Sequence, residues 1–255
     1  MSLFALLGSG EFLPWTGDVD RHLLKRATGD GTVLILPTAS APEGDRVFKR
    51  WGDLGLAHFR EAGIAAEVLP VKVRADAERP ELAEKVAHAS VVYFSGGNPA
   101  HLADTLAESA VWNAILDGMD RGLAYAGCSA GIACLGDVAP DSTSNDPTSA
   151  HFWRPGLGLF PKLYFGPHWD ALDRYVPGLR ASIVAAVPHD CRLLAIDEDT
   201  AVVGDGTDWK VIGAGGASLL EDGTWTQFER GTDFTARLEH HPPRSSSPGL
   251  EREAT

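Results

Sequence analysis

A serine between two glycines is the stretch of this sequence that most directly indicates chemistry. Residues 127–131 read Gly-Cys-Ser-Ala-Gly, after an apolar run and before small residues typical of a helix start. In such a nucleophile elbow, a strained strand-to-helix turn exposes the serine hydroxyl, and the free amides of the helix N-terminus favour negative charge there. Ser129 is therefore the predicted nucleophile, and the alternative is a tight turn that packs a helix on a sheet.

A serine nucleophile needs a base, and the base needs a hydrogen-bond acceptor that orients it. His168 is the predicted base, because it ends an apolar, strand-like run at a proline. Asp146 is the predicted acceptor, because it lies in a separate loop and can approach the ring from its far side, whereas Asp170 is more typical of a helix N-cap. The other downstream histidines are interpreted as loop, connector or tail residues: His151, His189, His240 and His241.

The segments around these residues alternate between strand and helix. Short apolar runs predict strands at residues 3–7, 33–36, 65–71 and 91–94. Helical spacing of apolar residues predicts helices at residues 18–28, 47–62, 81–87, 101–108 and 111–121. The alternation predicts an α/β fold, with a mostly parallel sheet sandwiched by helices. Such sheets bind ligands beyond the carboxyl ends of their strands, where the loops of Glu11, Gly97 and Ser129 are expected to lie.

Beyond the serine motif the pattern changes. Residues 137–150 predict a loop longer than a simple connector, and residues 172–186 predict a helix that a Pro-Gly pair breaks. Strand-like runs with Gly-Asp turns predict antiparallel hairpins at the end of the sheet, at residues 200–203, 210–212 and 217–228. We therefore expect one domain over residues 1–239 and a disordered tail over residues 240–255.

The composition limits the class of partner. A formal net charge of −13 argues against nucleic acid or an anionic membrane, but it allows a small peptide substrate held by a local cation. The three cysteines have no paired or metal-like spacing and predict reduced thiols in a cytoplasmic protein, with no metal and no cofactor. The N-terminus lacks a signal-peptide pattern and no apolar run reaches membrane-spanning length; a homodimer is left open.

Several short motifs, in their order and spacing, carry a family resemblance. They are Leu-Pro-Thr-Ala-Ser at 36–40, Gly-Gly-Asn at 96–98, the serine motif, Ser-Asn-Asp-Pro at 144–147 and Pro-His-Trp at 167–169. From residue 6 to about residue 203, the sequence resembles the serine-peptidase family that holds aspartyl dipeptidase (peptidase E) and cyanophycinase. The resemblance implies the class I glutamine amidotransferase-like fold and a triad in the order Ser129, Asp146, His168.

The resemblance also implies an activity, the hydrolysis of peptide bonds in small peptides, including peptides with acidic residues such as Asp. Gly97 and Ala130 would supply the oxyanion-hole amides. The candidate substrate-binding residues are Asn98, Glu11, Arg174 and Arg180. Both arginines could bind an acidic side chain, but they are also typical of exposed positions. Pro99 departs from the family, in which a Gln or Thr often follows the Gly-Gly-Asn or Gly-Gly-Asp motif, and proline has no amide hydrogen to donate.

Three other functions fit parts of the sequence. A glutamine amidotransferase would place cysteine at the centre of the elbow, whereas Cys128 lies one position before it. An α/β-hydrolase esterase shares the elbow, but its acid and histidine usually come much later in the chain than Asp146 and His168 do. The third is a non-catalytic relative that binds a small molecule or a partner, and Pro99 keeps it open.

We expect Cys128→Ser to retain activity, because in the elbow this side chain points away from the cleft and serves packing. The measurement is turnover of the best small-peptide substrate, beside Ser129→Ala, which should fold without turning over. Complete loss of activity in a well-folded Cys128→Ser protein would indicate a thiol mechanism instead.

Overall fold

Strands and helices alternate along the chain in this computed structural model, which describes residues 2–144, 149 and 151–240. The strands are β1 (Leu3–Leu7), β2 (Val33–Leu36), β3 (Ala66–Val68), β4 (Val91–Phe94), β5 (Ala124–Cys128), β6 (Val138–Pro140), β7 (Trp153–Pro155), β8 (Leu163–Gly166), β9 (Arg192–Ile196), β10 (Thr200–Gly204), β11 (Asp208–Gly213), β12 (Ala217–Glu221), β13 (Thr224–Phe228) and β14 (Asp233–Thr235). The helices are α1 (Gly17–Leu24), α2 (Asp45–Glu61), α3 (Arg74–Ala77), α4 (Pro80–His88), α5 (Pro99–Leu106), α6 (Ala110–Asp120), α7 (Ala130–Ala133), α8 (Leu172–Tyr175) and α9 (Leu179–Ala186).

The central sheet has eight strands among the described residues, in the order β14-β11-β10-β1-β5-β4-β2-β3. All neighbours from β1 to β3 are parallel, and β10, β11 and β14 extend the sheet by antiparallel pairing. A second sheet has the order β13-β12-β9-β8, with β8 and β9 parallel. Strands β6 and β7 pair in a two-stranded sheet.

Both faces of the central sheet are buried, as the continuous apolar sequences of its strands require. Along β1, Phe4 and Leu6 belong to one hydrophobic core, while Leu3, Ala5 and Leu7 belong to the other. This is the period of two that a strand imposes on its side chains. Residues of α4, α5 and α6 complete the first core and residues of α1 and α2 the second. The predicted fold class is therefore confirmed.

The C-terminal strands differ from the prediction in their pairing. The hairpin of β10 and β11 continues the central sheet as expected, but the hairpin of β12 and β13 pairs with β9 in the second sheet. Local alternation predicts that a strand forms, whereas its partner depends on long-range packing. The predicted break in residues 172–186 is confirmed, since α8 ends at Tyr175 and α9 begins at Leu179.

The packed part of the chain extends to residue 240. His240, the first residue of the predicted tail, packs against the rings of Phe4 and Phe160, with centroid distances of 5.2 and 5.9 Å. Residues 241–255 lie outside the described residues. Within the described part of the chain, no helix combines the length and apolar character needed to cross a membrane.

The two larger sheets meet where the end of β1 contacts the turn between β9 and β10. The Gly8 amide donates a hydrogen bond to the Thr200 carbonyl at 2.9 Å, and the Asp199 amide donates to the Ser9 hydroxyl at 3.0 Å. A Cβ atom on Gly8 would lie only 2.1 Å from the Asp197 carbonyl oxygen. The absence of a side chain at position 8 therefore allows this turn to pack directly against β1.

Gly8→Ala should destabilise the protein, because the new methyl group overlaps a backbone carbonyl that cannot rotate away. Overpacking of this kind costs about 1–3 kcal/mol, measurable as a lower free energy of unfolding in urea. The control is Gly17→Ala, where the nearest atom to the new Cβ is the flexible end of Arg21 at 3.4 Å. The control should be neutral or slightly stabilising, and equal effects of the two substitutions would contradict the close contact at Gly8.

Candidate active site

Ser129 lies at the turn between β5 and α7, where the elbow motif predicts it. Its φ of 51° and ψ of −105° form a conformation that non-glycine residues rarely adopt. The Ser129 amide donates to the Leu7 carbonyl at 3.0 Å, and its carbonyl accepts from the Ile132 and Ala133 amides, each at 3.0 Å. These hydrogen bonds hold the strained turn on both sides, and Ser129 stays partly exposed.

Close packing explains the glycine spacing of the motif. A Cβ atom on Gly127 would lie 2.3 Å from the Gly131 carbonyl oxygen, and one on Gly131 would lie 2.8 Å from the Phe94 carbonyl oxygen. The buried Tyr125 hydroxyl donates to the same Gly131 carbonyl at 2.6 Å. The two glycines therefore allow α7 to begin directly against β4 and β5.

His168 faces the serine from the end of the second sheet. β8 ends at Gly166, and His168 follows with a left-handed φ of 54°. Its Nε2 atom lies 2.9 Å from Ser129 Oγ. Its carbonyl accepts hydrogen bonds from the Ala171 and Leu172 amides at 2.8 and 2.9 Å, which fixes the backbone that carries the ring. The structure thus brings together the two residues that the sequence predicts as nucleophile and base.

Glu198, which the sequence analysis did not single out, lies at the other nitrogen of the His168 ring. Nδ1 of His168 lies 3.1 Å from Glu198 Oε1. Asp146 falls outside the described residues, so its role stays a prediction. Asp170 accepts a hydrogen bond from the Glu198 amide at 2.8 Å and so holds the backbone of the turn. The signal that could have identified Glu198 is its place in an acidic turn directly after the apolar run of residues 193–196.

A tyrosine of α8 holds the Glu198 carboxylate. The Tyr175 hydroxyl donates to Glu198 Oε1 at 2.7 Å, and the Tyr175 ring meets the His168 ring edge-on at 6.0 Å between centroids. The Tyr175 hydrogen bond, with a smaller contribution from His168, lowers the pKa of Glu198. Glu198 is therefore held in its charged form beside the histidine.

Both arginines that were predicted as candidate substrate-binding residues pair with carboxylates of the protein itself. Arg174 Nη2 lies 3.3 Å from Glu198 Oε2 and 3.6 Å from Asp170 Oδ2. Arg180 Nε lies 2.7 Å from Asp173 Oδ2, and the Arg180 amide donates to the same carboxylate at 3.1 Å. Arg174 thus supports the turn of Glu198, and Arg180 ties α9 to α8.

A cavity of about 230 Å³ opens beside Ser129, and Gly97 and Ala130 line it. The Ala130 amide is the first of α7 and has no intrahelical acceptor. Among the described residues, no group accepts a hydrogen bond from the Gly97 amide. The two residues predicted to form an oxyanion hole therefore both lie at the cavity that contains the serine.

Asn98 and Pro99 begin helix α5. Asn98 Oδ1 accepts the Ala100 and His101 amides at 2.9 and 3.2 Å, and its Nδ2 donates to Asp141 Oδ1 at 2.9 Å. Pro99 is the first residue of the helix, where a missing amide hydrogen leaves no intrahelical bond unmade. Asn98, a candidate substrate-binding residue, is thus engaged as a helix cap, and Pro99 fits its position.

Glu11, another candidate substrate-binding residue, connects the glycine loop to the strand before the serine. Its Oε1 accepts the Gly96 amide and its Oε2 accepts the Cys128 thiol, both at 2.9 Å, and the residue is buried. Burial raises the pKa of the Cys128 thiol well above its usual value, and the Glu11 carboxylate raises it further. Cys128 is thus a neutral thiol outside the cavity, and Glu11 positions the loop that carries Gly97.

A comparison with known protein families gives a match over most of the chain. The sequence profile described as Peptidase family S51 matches residues 4–212, a range that contains Ser129, His168 and Glu198. The chain belongs to peptidase family S51. The predicted resemblance to the family of peptidase E and cyanophycinase is therefore confirmed.

Curated relatives of this S51 chain include several cyanophycinases. The cyanophycinase of Synechococcus elongatus is 29% identical over 215 residues, which are 80% of this chain and 64% of that protein. The cyanophycinase of Trichormus variabilis is 29% identical over 198 residues, 74% of this chain and 63% of that protein. The matched region thus spans less than two thirds of these cyanophycinases.

Two solved structures resemble the S51 fold described above. A peptidase from an acI-B1 Actinobacterium has a TM-score of 0.84 and 31% identity, covering 92% of this chain and 97% of that one. A putative peptidase E protein from Listeria monocytogenes EGD-e has a TM-score of 0.59 and 20% identity, covering 84% of this chain and 99% of that one. The second likeness extends to the fold alone.

Glu11→Gln should lower both stability and turnover, because a carboxamide has one acceptor oxygen for two donors, the Gly96 amide and the Cys128 thiol. A buried donor left unsatisfied costs about 1–3 kcal/mol of unfolding free energy, and a shifted glycine loop lowers kcat. The measurements are urea unfolding and kcat on one peptide substrate.

The matched control for this prediction is the double variant Glu11→Gln/Cys128→Ala. With the thiol removed, the amide oxygen can accept from Gly96, and kcat should recover towards the wild-type value. A double variant as impaired as Glu11→Gln alone would contradict the positioning role of Glu11.

Proposed function

We propose that this S51 family member is a serine-type peptidase that hydrolyses peptide bonds of small peptides. Ser129 is the nucleophile, His168 the general base and acid, and Glu198 the acceptor that orients the histidine. The observation that carries the proposal is the continuous chain from Ser129 Oγ to His168 Nε2, at 2.9 Å, and from His168 Nδ1 to Glu198 Oε1, at 3.1 Å. This constellation recurs as hydrolytic machinery on unrelated folds.

Glu198 determines which nitrogen of the histidine acts as the base. A carboxylate at Nδ1 keeps the proton on that nitrogen, which leaves the Nε2 lone pair free to accept the Ser129 proton. The same negative charge stabilises the imidazolium that forms during attack. Because the Tyr175 hydrogen bond lowers the pKa of Glu198, its charged form is favoured beside the histidine.

The reaction proceeds through an acyl-enzyme. Ser129 Oγ attacks the carbonyl carbon of the peptide bond while its proton passes to His168 Nε2, and the amides of Gly97 and Ala130 stabilise the charge on the carbonyl oxygen. The C–N bond then breaks as His168 returns the proton to the leaving amine. A water molecule, deprotonated by His168, then attacks the ester. The bond to Ser129 Oγ breaks as His168 returns this proton to the oxygen, which releases the new carboxylic acid and restores Ser129.

Two observations favour a peptidase over the other functions that the sequence allows. The Cys128 side chain is buried against Glu11, which argues against a cysteine-dependent amidotransferase. Pro99 occupies the first turn of α5, so its missing amide hydrogen gives no support to a non-catalytic relative.

Ser129→Ala should abolish hydrolysis and fluorophosphonate labelling, and Glu198→Gln should lower kcat by up to about 10⁴, the loss found when an orienting aspartate is replaced in a similar triad. Asp170→Asn is the matched control, since Asp170 contacts only the backbone of Glu198 among the atoms of the proposed triad and should have a much smaller effect. The substrates are dipeptides with N-terminal Asp, isoaspartyl peptides and neutral dipeptides.

The rival acid assignment is tested in the same assay by Asp146→Asn. A strong loss of kcat in Asp146→Asn together with a nearly unchanged Glu198→Gln would replace Glu198 by Asp146 in the mechanism. Full activity of Ser129→Ala would refute the serine mechanism as a whole.

A further inference from the structure

We propose that the cavity beside Ser129 binds an apolar side chain of the peptide, adjacent to the scissile bond, in preference to an acidic one. This inference rests on the proposed peptidase function and names its substrate class. The cavity is continuous with the nucleophile, because Ser129, Gly97 and Ala130 form part of its wall. A peptide whose carbonyl reaches Ser129 therefore places a neighbouring side chain at this cavity.

Most of the cavity lining away from Ser129 is hydrophobic, with Ser142 and Ser144 as its polar members. The apolar part comes from the β6–β7 region, β8, α8, α9 and the segment between α8 and α9, namely Phe152, Phe165, Leu172, Val176, Leu179 and Ile183. Phe152, Phe165 and Ile183 are buried, so their positions are fixed by the core. Transfer of an apolar side chain from water to such a surface is favourable in proportion to its buried area.

Among the described residues, no Lys, Arg or His lines the cavity. A carboxylate in the cavity would lose its hydration without gaining an opposite charge, which is strongly unfavourable. The chemistry of the lining thus disfavours an acidic side chain.

Three arginines close in sequence to this wall, Arg154, Arg174 and Arg180, are already paired. Arg154 contacts Asp104. Arg174 contacts Glu198 and Asp170, and Arg180 contacts Asp173. Recruiting Arg174 or Arg180 for a substrate carboxylate would remove support from the turn of Glu198 or from the packing of α8 on α9. These three arginines are therefore engaged within the folded protein and are not free to bind an acidic substrate.

The size of the cavity fits one side chain. At about 230 Å³ it is smaller than the ~300–1,000 Å³ of sites that enclose a drug-sized molecule. The occupant is therefore a single apolar residue of a small peptide, such as Leu or Phe, with the rest of the peptide outside the cavity.

The first test measures kcat/KM of the full-length chain on two matched series, Xaa-Ala and Ala-Xaa, with Leu, Phe, Asn and Asp as Xaa. In one of the two series, kcat/KM for the Leu or Phe peptide should exceed kcat/KM for the Asp peptide by roughly 100-fold or more. The scale follows from apolar pockets, in which a single methylene can change kcat/KM by about 10–200-fold. Asn separates the effect of charge from that of shape. Equal or better cleavage of the Asp peptides in both series would overturn the proposal.

The second test changes the wall itself. Leu179→Lys places a cation in the cavity and should raise the Asp-to-Leu ratio of kcat/KM at least tenfold. Ala181→Lys adds the same charge to the same helix at an exposed position and should leave the ratio unchanged. Identical ratios in the two variants, both folded as judged by thermal unfolding, would show that this wall does not contact the substrate side chain.

A binding measurement separates the failure of this proposal from failure of the peptidase function. Ser129→Ala should bind the Leu or Phe peptide more tightly than the Asp peptide in calorimetry, whether or not the wild-type chain cleaves either. If Ser129→Ala binds the Leu peptide more tightly and the wild-type chain resists fluorophosphonate labelling, the peptidase function is refuted and the apolar pocket is supported. If Ser129→Ala binds the Asp peptide more tightly and Ser129 of the wild-type chain is labelled, the apolar pocket is refuted and the serine mechanism is supported.

Discussion

The contact between Gly8 and the turn of residues 197–199 is the constraint on which the geometry of the site depends. Ser129 projects from the end of β5 in the central sheet, whereas His168 and Glu198 follow strands of the second sheet. The hydrogen-bonded chain between them closes only if the two sheets meet at a fixed distance. Two contacts join the end of β1 to this turn: the close approach of Gly8 to the Asp197 carbonyl, where a Cβ atom would lie only 2.1 Å from the oxygen, and the hydrogen bond from the Asp199 amide to the Ser9 hydroxyl at 3.0 Å.

A second layer of polar contacts holds the loops around the cavity in place for the negative charge that develops during the reaction. Glu11 ties the Gly96 amide to the Cys128 thiol, and Asn98 caps α5 while it contacts Asp141. These groups are satisfied within the protein, so they hold the loops before any substrate arrives. Electrostatic stabilisation by fixed donors is effective because the donors need not reorganise during the reaction. Glu11 and Asn98, two of the candidate substrate-binding residues, thus hold the geometry of the site.

The sequence predicts the parts of this structure that local patterns control. Strands β1, β2 and β4 begin and end at the predicted residues, and the elbow is where its glycine spacing indicates. Glu198 was not foreseen because its partner His168 follows another strand of the second sheet, and only the parallel pairing of β8 with β9 brings the two together. The prediction that β12 and β13 extend the central sheet was wrong for a similar reason, since the alternation of residues along a strand does not specify which strand it pairs with.

Three residues at or beside the proposed machinery, Ser129, His168 and Asp199, adopt positive φ angles of 51°, 54° and 49°. Each such conformation raises the energy of the folded state by on the order of 1–3 kcal/mol when the residue is not glycine. Hydrolysis and thermal robustness are therefore in conflict in this fold. In a descendant that is no longer selected for catalysis, substitution by glycine at these positions would remove this cost and raise the melting temperature. Homologues that have lost the serine should accordingly be sought among the most heat-resistant members, and a sharp fall in melting temperature along a lineage would mark where activity was regained.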